Sequence, residues 1–163
     1  MKTWLHAAAL ATLAIGLAAC GGKPPPAPAP EPPKPETTAP APVSMPRTAA
    51  PAGARVTITS PASGATVKSP VTVTFTIAGM TLAPAGTNDP NTGHHHLLID
   101  TGMPALDQPI PMDASHIHFG KAQTEAQVEL APGPHTLQLL LGDGNHVPHD
   151  PPVASEQITI TVE

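Results

Sequence analysis

From position 55 onward, apolar and polar side chains alternate in short runs separated by Gly, Pro, Asn and Asp. A period of two puts successive side chains on opposite faces of a strand. Residues 55–60 (Arg-Val-Thr-Ile-Thr-Ser) follow it, and 61–64 (Pro-Ala-Ser-Gly) supply a turn. Residues 71–77 show it most clearly: Val71, Val73, Phe75 and Ile77 share one face, and Thr72, Thr74 and Thr76 the other. Further strands are expected at 94–100, 115–119, 123–130, 135–141 and 156–162. In the last three, Ala126, Val128 and Leu130, then Leu137, Leu139 and Leu141, then Ile158, Ile160 and Val162 point inward. Residues 79–93, 101–113 and 142–154 read as loops. No stretch after the first 19 residues carries an apolar period of 3.6. Seven short strands with turn signals between them predict an all-β fold, an immunoglobulin-like antiparallel β-sandwich.

Composition changes the picture at the N-terminal side. Twelve of the 24 prolines lie between Pro24 and Pro51, where bulky apolar residues are nearly absent. Such a segment cannot bury enough surface to offset the entropy of ordering. Residues 20–53 are therefore expected to form a Pro/Ala-rich linker, and 54–163 the sandwich domain. About 30 linker residues in polyproline II, at roughly 3.1 Å each, would reach on the order of 90 Å. From 55 onward, only Arg55, Lys68 and Lys121 oppose ten acidic residues, and Phe75 and Phe119 are the only aromatics apart from histidine. An acidic surface without stacking platforms excludes nucleic acid as a partner.

Residues 1–19 join a positive start, Met1-Lys2, to an apolar run from Trp4 to Ala19. The run is short for a permanent span and reads as a signal peptide. Leu17-Ala18-Ala19-Cys20, at its end, resembles the lipobox of bacterial lipoproteins. The resemblance implies cleavage before Cys20, diacylglyceryl on its thiol and a fatty-acylated, palmitate-type N-terminus. It also implies a lipid-anchored protein on the periplasmic face of the bacterial envelope. Gly21, where inner-membrane lipoproteins carry aspartate, points to the outer membrane. Lipidation would remove the single cysteine from disulfide and metal chemistry.

The candidate chemistry lies in histidines. With strands lettered A to G, residues 115–119 take the place of strand D. The B–C, D–E and F–G loops then share one end of the sandwich. That end gathers His94 and His96, His116 and His118, and His146 and His149 as candidate metal ligands. The first two pairs are His-x-His, whose side chains share a strand face about 6.5–7 Å apart. If Leu97 and Ile99 face the core, so does His95, which is expected to be buried and hydrogen-bonded behind the ligands. Asp143 and Asp150 are candidates to orient an imidazole. A thiol-free, nitrogen-rich set suits zinc, copper or nickel, and no organic cofactor is implied. Met80, Met103 and Met112 would tilt the choice to reduced copper, although methionines usually fill gaps. His135 falls at the opposite end and is expected to be structural.

Residues 130–137 (Leu-Ala-Pro-Gly-Pro-His-Thr-Leu) resemble the entry to the penultimate strand of immunoglobulin-like and fibronectin-like domains, with His135 in place of the usual Tyr. Asn91-Thr92-Gly93-His94-His95-His96-Leu97-Leu98-Ile99-Asp100, His116-Ile117-His118-Phe119-Gly120-Lys121-Ala122-Gln123-Thr124-Glu125 and the stretch from Leu139 to Pro152 resemble an uncharacterised family of small exported bacterial domains. That resemblance implies an exported β-rich domain and brings no activity. Three functions follow from the residues. The first is a membrane-anchored periplasmic lipoprotein that handles or senses copper or zinc. The second is a metal-free module that binds an envelope protein partner. The third is a metal-dependent enzyme with Asp143, Asp150 or Glu125 as a base. No nucleophile elbow, P-loop or zincin motif is present, so no catalytic residue is assigned.

Overall fold

The structure, a computed structural model, describes residues 44–163. The expected signal peptide, Cys20 and linker residues up to 43 lie outside the described residues. The strands are β1 (Arg55–Ser60), β2 (Thr66–Val67), β3 (Val71–Ala78), β4 (Thr81–Leu82), β5 (Thr92–Ile99), β6 (His116–Phe119), β7 (Glu125–Val128), β8 (Gly133–Gly142) and β9 (Ile158–Val162). The described residues hold no helix. The seven expected strands are present, with two-residue β2 and β4 added.

Strands β1, β3 and β7 form one sheet in that order. The other runs β2-β9-β8-β5-β4, with β6 also pairing to β5. All pairings are antiparallel except β2 with β9 and β4 with β5. Val56, Val71, Val73, Phe75 and Val128 from the small sheet meet Leu97, Ile99, Leu137, Leu139, Leu141, Ile160 and Val162 from the large one. The period-two pattern supplies these residues, so the core follows directly from the sequence.

Strand β6 departs from the expected order. Instead of joining β7 as a fourth strand of the small sheet, it pairs with β5, with His96 opposite His118 and Leu98 opposite His116. The long segment between β5 and β6 returns the chain beside β5 itself. His118 therefore reaches His96 across a strand ladder, and the site lies on a sheet face instead of a loop rim.

Strand β5 is buried on both faces. His95, Leu97 and Ile99 turn to the sandwich core; His94, His96 and Leu98 turn outward yet are also buried. Leu98 packs with Ile110, Leu140 and partly buried Ala154 under the loops that cover the outer face. Such continuous burial explains why β5 and β8 lose strict alternation.

At the β7–β8 corner, His135 bonds back across the turn. Its Nδ1 lies 2.6 Å from Asp100 Oδ2 and its Nε2 lies 2.8 Å from the Ala131 carbonyl oxygen. Both partners are acceptors, so only the doubly protonated ring satisfies both. The Asp100 bond and then the Ala131 carbonyl accordingly raise the His135 pKa above 6.5. A raised folded value means that this stabilisation is complete below about pH 6.5 and is lost as pH climbs through the raised value. Burial opposes ionisation of Asp100, but the Thr136 amide and His135 outweigh it and hold the carboxyl below its ordinary value. The gap in urea midpoint between the wild-type chain and His135→Gln should therefore narrow between about pH 6 and about pH 9, the other buried histidines titrating alike in both chains. At the lower pH the substitution should cost about 1 kcal/mol. An identical profile in the variant would contradict this role.

Candidate metal centre

Four imidazoles meet on the outer face of the large sheet. His94 and His96 project from β5, His118 from β6, and His146 from the β8–β9 loop. The ring centroid of His94 lies 4.9 Å from those of His96, His118 and His146. His118 and His146 are 4.8 Å apart. Potential ligand atoms of His94, His96 and His118 all lie within 4.8 Å of one another. The two Nε2 atoms of His94 and His96 are 3.1 Å apart. Imidazole nitrogens at about 2.0–2.1 Å from a tetrahedral zinc sit about 3.3 Å from each other, so this spacing fits an ion held between them.

The polar accounting points the same way. Among the described residues, His118 Nε2, His94 Nδ1 and His96 Nδ1 are buried without a hydrogen-bond partner. An unpaired buried polar atom costs about 1–3 kcal/mol, and the cluster holds three. Of the three, only His118 Nε2 is open to a cation shared with the facing Nε2 atoms of His94 and His96, whose Nδ1 atoms lie elsewhere on their rings.

Electrostatics keep the rings in ligand form. Burial, then repulsion from His146 and His118, lowers the His94 pKa to about 4. Burial, then repulsion from His94, His118 and His146, lowers that of His96 to about 2. His118 is lowered by burial and by His146. Each ring binds a proton less readily folded than unfolded, so in the metal-free chain acid below about pH 6.5 works against the fold.

Glycines make the room. A Cβ on Gly120 would lie 2.3 Å from His118 Cε1 and 2.7 Å from its Nε2. One on Gly142 would lie 3.0 Å from His96 Nε2. Sequence reasoning did not single out either glycine. The signal available was a Gly two residues beyond His118, at a strand end where a close approach was to be expected.

The remaining candidates stand elsewhere. His116 turns to Asp113, its Nδ1 2.8 Å from Oδ1. His149 is buried between backbone carbonyls, with Nε2 3.2 Å from Thr92 and Nδ1 3.5 Å from Leu141. Asp150 pairs with Arg47 at 3.2 Å. Asp143 is buried at 5 % exposure and ties the loop that carries His146. His95 differs from its expectation in one respect. It lies in the core, 4.7 Å from Phe75 and edge-on, but neither ring nitrogen has a hydrogen-bond partner among the described residues. The apolar side chains around it offer no donor or acceptor, and burial lowers its pKa to about 4. Met103 and Met112 are exposed and Met80 packs against the core.

Fold and site together define a small β-sandwich with a buried histidine cluster on one sheet face. Residues 73–163 match the family described as a domain of unknown function, DUF4399, and the chain belongs to that family. Comparison with curated proteins and with solved structures found no match.

The crowding at Gly120 gives a direct handle on the cluster. The two closest obstructing atoms belong to the far end of a side chain, with the Ala85 Cβ next at 3.2 Å, so Gly120→Ala should leave the fold intact and displace the His118 ring. Histidine-selective NMR should show His118 shifted while the β5–β8 amides keep their wild-type positions. Unmoved His118 resonances would contradict the geometry.

Proposed function

We propose that the chain is a membrane-anchored periplasmic lipoprotein whose sandwich binds a transition metal, copper or zinc, in a handling or sensing role. The observation that carries this reading is the convergence of His94, His96 and His118 within 4.8 Å, with His146 against them. Three converging imidazole donors, with the His146 ring beside them and no thiolate or contacting carboxylate, favour borderline metals over calcium or magnesium. Bound there, the ion is cargo or signal. Residues 1–20 support the anchor through their apolar run and lipobox-like end.

Calorimetric titration of the untagged chain with Zn(II) and with Cu(II) tests the site. Uptake of about one equivalent is expected, with loss in His94→Ala/His96→Ala and retention in His95→Leu. Absence of uptake by the wild type, or undiminished uptake by the double variant, would sink the reading. For the anchor, cells fed labelled palmitate should label the wild-type chain and not Cys20→Ser. Equal labelling would rule out acylation at that thiol.

A further inference from the structure

Composition assigns residues 44–50 to the linker, yet they grip the loop that presents His146. The Thr48 hydroxyl donates to Asp143 Oδ2 at 2.7 Å. The other oxygen of that carboxylate, Oδ1, accepts the amides of Asn145 and Val147 at 2.9 and 3.0 Å. The Asp143 carbonyl accepts the His146 amide at 2.9 Å. On the far side of His146, Arg47 Nε donates to the Pro148 carbonyl at 3.1 Å and Nη2 donates to that of His149. Arg47 also pairs with Asp150 at 3.2 Å. The backbones join as well: the Ala50 amide donates to Asp150 at 2.8 Å and the Asp150 amide to Thr48 at 2.9 Å.

His146 needs such support. Its φ is 66°, a left-handed backbone that a residue with a Cβ adopts at a cost. The strain persists only where surrounding contacts fix it: the His146 carbonyl accepts the Ile110 amide at 2.8 Å, and the remaining ties of the loop run through Asp143. Asp143 is itself buried, so both carboxylate oxygens require partners. Thr48 is the one that comes from outside the loop.

We propose that residues 44–50 form a strap belonging to the metal site, in which Thr48, through Asp143, and Arg47 are positioning residues that hold His146 in place as the fourth imidazole ligand. This rests on the metal reading above. Without the Thr48 hydroxyl, one oxygen of a buried carboxylate is left unpaired and the loop relaxes. His146 then moves off the cluster while His94, His96 and His118 stay on their strands. Removing a partner that orients a ligand typically weakens metal binding roughly 10–100-fold.

The test uses the untagged full-length chain with Thr48→Val, Thr48→Ser and Arg47→Met. Competitive Zn(II) titration reads affinity, and pulsed EPR of the Cu(II) form counts imidazoles. Thr48→Val and Arg47→Met should bind roughly 10–100-fold more weakly and show one imidazole fewer, while Thr48→Ser should match the wild type. Wild-type affinity and imidazole count in Thr48→Val would overturn the proposal. A second measurement needs no metal: the amides of Asn145 and Val147 should exchange with solvent faster in Thr48→Val, and unchanged rates would also overturn it. A wild-type chain that takes up neither ion defeats the metal reading and the ligand role of His146. The exchange rates still decide whether the strap holds the loop.

Discussion

The structure depends on one strand being covered from both sides. β5 lies between β8 and β6, with its inner face in the sandwich core and its outer face under the β8–β9 loop and the segment before β6. That double burial takes His94 and His96 out of water, which lowers their affinity for protons and leaves their Nδ1 atoms without a hydrogen-bond partner. The same ladder sets His118 opposite His96. Loop, register and desolvation therefore act on the same few atoms.

Burying His94 and His96 fully, and His118 and His146 in part, opposes folding unless something returns the lost interactions. The apolar core supplies the general stabilisation, through Phe75, Leu97, Leu137, Leu139, Leu141 and Ile160, all at most 1 % exposed. It cannot satisfy a ring nitrogen. His95 and the outer cluster illustrate the difference. His95 is a single imidazole isolated among apolar side chains, with no neighbour to share an ion. His94, His96, His118 and His146 are mutual neighbours whose charged forms repel, and that geometry favours one cation over four protons.

Much of the fold was legible because a period of two has only one structural meaning over short runs. Val71 to Ile77 and Leu137 to Leu141 announce their inward faces residue by residue. The all-β sandwich followed from such runs. The register also divided His95 from His94 and His96 correctly, because Leu97 and Ile99 fix which face is inside. The partner of β6 was not legible. Four residues of extended chain carry no information about which sheet they join, and the long segment before them permits either. Thr48 and Arg47 were hidden for a different reason: a Pro-rich composition describes an average, and two side chains at its end can still dock through hydrogen bonds that no periodicity reports.

The central claim is that the imidazole cluster is a metal site. Elemental analysis and metal-edge X-ray absorption, on untagged chain purified without chelators, test it most directly. The account predicts about one equivalent of copper or zinc, with a first shell of imidazole nitrogen at about 2.0–2.1 Å. A chain that carries almost no metal, or metal held mainly by oxygen, would contradict it.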